Sequence, residues 1–137
     1  MYNEDGTFLK PHFFIRPAMH AFIDTEIIAK APYQYLWAGI GDTYAKYYEA
    51  TISSRDERLE HFTSLGVALS KMCRDPLLEY GPKAFADHKQ KLCTYDVEQV
   101  ILAIVVTTGI ASIFLTKDFT PDYNSGLAHA IFYALTS

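Results

Sequence analysis

Cysteine is nearly absent from this 137-residue chain, with Cys73 and Cys93 its only two. Two thiols cannot build a disulfide framework or a cysteine-based zinc site, so both read as buried free thiols of a reducing compartment. Basic excess is missing too. A net charge of −4 with no basic stripe argues against nucleic acid as the partner. Met1 to Gly6 is polar and acidic rather than apolar, so no signal peptide is expected and the location reads as cytoplasmic. The only long apolar run, Val100 to Leu115, falls short of the ~20 residues that cross a bilayer and reads as a buried central helix, not a membrane span. HExxH, CxxC, GxSxG and phosphate-loop patterns do not occur. Gly39 and Gly41 lack the third glycine of a dinucleotide fingerprint and do not follow a strand.

What the chain has is apolar and aromatic mass. Half its residues are hydrophobic and 15% are aromatic, enough to exclude disorder and to fill one core. Residues 1–23 read as an extended arm, with a turn at Asp5-Gly6 and short pieces at Phe13–Ile15 and Ala21–Ile23. From Asp24 the pattern turns helical. Asp24 or Thr25 caps a short helix to Lys30, and Pro32 suits the start of the next. That helix runs from Tyr33 into the glycine pair and resumes to Ser53. Ser54 with Glu57 reads as a capping box opening a long helix striped by Leu59, Phe62, Leu65, Leu69 and Met72. Pro76 restarts it, and Gly81-Pro82 reads as a further break. Thr94 and Asp96 open the hub helix. Thr120–Asn124 is a loop, and Asn124 or Ser125 caps a last helix from Gly126 to Leu135. An all-α bundle of about six helices behind the arm is therefore predicted.

Chemistry is concentrated in two stretches. In Ala38-Gly39-Ile40-Gly41-Asp42, Asp42 and Lys46 fall four apart on one helix face, and Tyr44, Tyr47 and Tyr48 share a face of their own. The carboxylate is either half of a solvated Asp42–Lys46 pair beside a glycine-eased crossing, or a metal ligand. Among the five histidines, His12 and His20 lie in the arm, and His61 and His88 read as solvated among charged neighbours. His129, flanked by small and apolar residues in Gly126–Ile131, is either a hydrogen-bonded core residue or the imidazole partner of Asp42 in a site for zinc or ferrous iron.

Several motifs in order extend this reading. They are Tyr2–Phe8, Phe22–Thr25 leading to Ile28–Pro32, Ala38–Asp42 with Glu49-Ala50, and Tyr123-Asn124-Ser125-Gly126-Leu127-Ala128-His129-Ala130. With them the chain resembles the iron-containing alcohol dehydrogenase superfamily, in its glycerol-dehydrogenase-like branch. The resemblance implies a dehydroquinate synthase-like helical domain over residues 24–137. It also implies Asp42 and His129 as ligands of a catalytic divalent metal, and an NAD(P)-linked oxidation of a small alcohol or polyol. Lys46 stands where the long-chain dehydrogenases of the superfamily carry a histidine ligand. The family's nucleotide-binding domain and third ligand, a histidine beyond the last helix, have no counterpart in the sequence. The expectation is therefore weak metal binding, no NAD(P) binding, no catalytic residue beyond the ligands, and no activity from this chain alone. Two other readings follow: a non-catalytic helical interaction module that forms homo-oligomers, or half of a split dehydrogenase that docks a separate nucleotide-binding chain.

Overall fold

Helix α1 (Thr25–Lys30) starts where predicted, because Asp24 Oδ1 accepts the free N–H groups of Glu26 (3.0 Å) and Ile27 (3.3 Å). The computed structural model describes residues 4, 6–7, 16–116 and 123–136; no strand occurs among them, and the expected extended piece Phe13–Ile15 lies outside them. Ala21–Ile23, by contrast, is described and is irregular chain.

Pro32, with φ −55°, leads into α2 (Tyr33–Ser53), which runs unbroken through both glycines. Gly39 serves contact rather than bending: a Cβ there would lie 3.1 Å from Ile104 Cδ1, so its bare backbone lets α2 press on the hub helix. The same substitution at Gly41 would meet nothing within 4 Å.

The predicted capping box is overturned. Ser54 ends α2 as its C-cap, Asp56 takes a left-handed φ of 65°, and α3 (His61–Ser70) begins only at His61. The expected apolar stripe faces inward only in part: Leu69 packs against a core cluster and Leu59 is half-buried. Thr63, Gly66 and Ser70 are buried, while Phe62, Leu65 and Met72 stand exposed. Small residues win the inner face because α3 and the hub cross closely at Gly66.

A 3₁₀ turn (Lys71–Cys73) leads into α4 (Asp75–Lys89), with Pro76 in its first turn as expected. Pro82 does not break α4, which continues through it to a left-handed Lys91 (φ 61°) just beyond its C-cap. His88, read as solvated, is fully buried, and its Nε2 lies 3.0 Å from the Ile28 carbonyl. It falls on the stripe Leu77, Gly81, Ala84, His88, which packs inward at helical period. Lys91 Nζ donates to the Lys30 (2.9 Å) and Ala31 (2.6 Å) carbonyls, so α4 and the turn after it satisfy the end of α1.

The hub is one rod in three parts: α5 (Tyr95–Leu102), a π turn (Ala103–Thr107) and α6 (Thr108–Phe114). At the π turn, Thr108 Oγ1 sits 3.2 Å from the Ala103 carbonyl and 3.3 Å from Thr43 Oγ1, tying the hub to α2 beside Asp42. The rod spans Tyr95–Phe114 and is long and apolar enough to cross a membrane by length and composition. Only 28% of its apolar window is buried, so it is not buried all round. Val97, Val100, Ile101, Ala103 and Ala111 fill the two core clusters, while Leu102, Val105, Ile110 and Ile113 face out. α7 (Leu127–Thr136) then lies against α2.

Candidate metal centre on helices α2 and α7

Three polar residues on α2, Asp42, Lys46 and Glu49, repeat at four and three residues and so form one stripe over two turns. Asp42 stands at the open end, its side chain 62% exposed, whereas Lys46 and Glu49 are buried. The start of α7 is laid along this stripe by polar contacts. Lys46 Nζ donates to the Asn124 carbonyl and to Asn124 Oδ1 (2.8 Å). Glu49 Oε1 accepts the backbone N–H groups of Gly126 (2.9 Å) and His129 (3.1 Å), capping α7 from a neighbouring helix. Both carboxylate oxygens lie within 3.0 Å of His129 Nδ1. The other ring nitrogen, Nε2, is 3.7 Å from Asp42 Oδ1.

These contacts set the local electrostatics. Burial alone would raise the pKa of Glu49, but the hydrogen bonds from the His129 ring and from the two backbone N–H groups outweigh it, so the carboxyl sits below its ordinary value. Lys46 is pushed down by burial against the smaller opposing pull of Glu49 and Asp42. It is no solvated partner of Asp42: the residue is only 4% exposed, and its ammonium donates to Asn124 instead.

The sequence of the whole chain has curated relatives. Hydroxycarboxylate dehydrogenase A of Escherichia coli (strain K12) is 35% identical over 136 residues, 98% of this chain and 36% of the relative. Glycerol dehydrogenase of Thermotoga maritima is 33% identical over 144 residues, 99% of this chain and 36% of the relative. Glycerol dehydrogenase of Escherichia coli O6:H1 is 31% identical over 144 residues, again across 36% of its length. The chain belongs to the iron-containing alcohol dehydrogenase superfamily. It spans about 36% of the length of these relatives of the superfamily. No protein-family model matches it, and no solved structure does.

The divalent metal that the superfamily implies can be tested against the residues present. Two ligands of a tetrahedral zinc, each bonded at about 2.0–2.2 Å, lie roughly 3.4 Å apart, close to the 3.7 Å between His129 Nε2 and Asp42 Oδ1. A carboxylate on the far ring nitrogen is also what a ligating histidine commonly has. The pair therefore fits. Among the described residues no group of three His, Cys, Asp or Glu side chains could hold the ion, so other ligands would come from water or from elsewhere.

Of the residues singled out from sequence, the structure brings Asp42 and His129 together across 80-odd residues of chain, and leaves His61 and His20 exposed and apart. Glu49 and Lys46 were the residues missed as parts of the site. Their signal was present in the spacing 42, 46, 49, the same reasoning that placed Asp42 and Lys46 on one face.

Proposed function

We propose that this chain supplies the metal-side helical portion of an NAD(P)-linked dehydrogenase of small alcohols or polyols, with Asp42 and His129 as two ligands of its divalent ion, zinc or ferrous iron. The observation that carries this is the 3.7 Å approach of His129 Nε2 to Asp42 Oδ1 with Nδ1 already engaged by Glu49. When bound, the ion supplies Lewis acidity to a substrate hydroxyl. Asp42, on the open end of the stripe, leaves room there for a small ligand. Gly39 and Gly41, the closely spaced glycines of the sequence, lie inside α2 and not in a loop opening a helix, so they form no phosphate-binding turn for a nicotinamide cofactor. Alcohol oxidation by this chain alone is accordingly not expected.

Calorimetric titration of the metal-free protein with zinc, beside Asp42→Asn and His129→Ala, tests the reading. One site per chain, lost in both variants, is expected. Binding indifferent to both changes would overturn it. In that case the second reading stands, a helical interaction module, favoured by the exposed apolar side chains Leu102, Val105, Ile110 and Ile113 along the hub.

A further inference from the structure

Glu49 makes more contacts than a cap requires. Its side chain is 3% exposed, and a carboxylate offers only acceptors. Oε1 accepts the backbone N–H groups of Gly126 and His129, the unpaired donors at the start of α7. Oε2 is 2.9 Å from His129 Nδ1. With nothing but acceptors facing it, Nδ1 must be the nitrogen that carries the proton, and in the neutral ring Nε2 is left with its lone pair. Nε2 is the atom that points toward Asp42.

We propose that Glu49 is the positioning residue of the Asp42–His129 site, acting by fixing the Nδ1–H tautomer of His129 through the same carboxylate that caps α7. The inference rests on the reading of Asp42 and His129 as metal ligands. One side chain thereby sets where the ligand helix sits and which ring nitrogen is available. Only a free lone pair can bond a metal, so the wrong tautomer costs the site its imidazole even with every atom in place.

The two roles separate in Glu49→Gln. A glutamine oxygen can still accept from Gly126 and His129 N–H, which keeps the cap. The amide NH₂ then faces Nδ1 and needs an acceptor, which drives the proton to Nε2. A residue with only a structural role would show no such reversal.

The experiment is long-range ¹H–¹⁵N correlation of the histidine rings in the metal-free full chain at pH 8, with zinc titrations of the unmodified chain, Glu49→Gln and Asp42→Asn. Expected are the Nδ1–H tautomer for His129 in the unmodified chain, the Nε2–H tautomer in Glu49→Gln, and zinc affinity about 10- to 100-fold lower in that variant. An unmodified chain with His129 in the Nε2–H form would overturn the proposal, and this measurement needs no variant to fold. Zinc binding lost in Asp42→Asn but unchanged in Glu49→Gln would overturn the role of Glu49 and leave the metal reading standing. The Nδ1–H tautomer with no zinc bound to any of the three proteins would defeat the metal reading while supporting the control of the ring by Glu49.

Discussion

At the crossing of α3 with α6, Gly66 is buried, and a Cβ built on it would sit 2.8 Å from Phe114 Cβ and 3.0 Å from Leu115 Cγ and Cδ2. Phe114 Cβ cannot swing aside, since it is fixed to the backbone of the facing helix. Gly66→Ala therefore forces the two helices apart, an overpacking cost of about 1–3 kcal/mol. Against it stands the gain of replacing a helical glycine by alanine, about 1 kcal/mol. The net expectation is a loss of roughly 0–2 kcal/mol. Gly109 on α6 supplies the control, because a Cβ there meets nothing within 4 Å and Gly109→Ala takes the gain alone. The difference between the two variants isolates the crossing. Urea unfolding followed by circular dichroism reads it: with a slope of about 1–3 kcal/mol/M, a 2 kcal/mol gap places the midpoints roughly 1 M apart. A Gly66→Ala protein as stable as Gly109→Ala at unchanged slope would refute the close-crossing account of α3.

Pro82→Ala, at an exposed site inside α4, restores an N–H that can return to the Leu78 carbonyl, and is expected to stabilise the chain by about 1–3 kcal/mol in the same urea assay. The pKa of Glu49 is held below its ordinary 4.5, so its contribution to stability is complete above that pH and is lost as the pH falls through the lower folded value. The stability gap between the unmodified chain and Glu49→Leu should accordingly narrow on acidification below 4.5; a gap unchanged down to pH 2.5 would contradict the hydrogen-bonded carboxylate. Lys46 titrates below 10.5 in the folded chain, so between its folded and unfolded values the unfolded state binds more protons and stability rises with pH. Lys46→Met should remove that alkaline rise, read by urea midpoints as the pH is raised toward 10.5. In amide exchange, Lys46→Met should also speed the exchange of Ala130 N–H, whose bond to the Gly126 carbonyl opens the α7 helix next to the Asn124 anchor.

Local signals in the sequence were read correctly where the chain alone decides them. Asp24 caps α1, Pro32 precedes α2 and Pro76 starts α4, because capping and proline geometry are settled within a few residues. Ser54–Glu57 misled because the same residue types serve a C-cap followed by a left-handed Asp56, and which use is made depends on where α3 must dock. Pro82 misled because burial of Leu77 and Ala84 in the core cluster shared with the hub outweighs one lost hydrogen bond. His88 was judged by its charged sequence neighbours, Asp87 and Lys89, when the helical period puts it on the opposite face with Ala84. Asp42 and His129 were singled out through family resemblance. Their meeting needed the fold, since no spacing rule links residues so far apart. Glu49 hid behind its ordinary role as a charged helix residue.

The anchoring of α7 also bears on how the chain assembles. Helices α2 to α6 meet mostly as sequence neighbours or near neighbours, whereas Glu49 waits for Gly126 and His129, 77 and 80 residues further on. The return on docking α7 is a handful of hydrogen bonds rather than a large apolar face, unlike the core contacts that join α2 to α6. Docking of α7 therefore comes late in folding, and the bundle can condense first with Glu49 and Lys46 still hydrated. During synthesis the imidazole reaches Asp42 only after the rest of the helical scaffold exists to receive it.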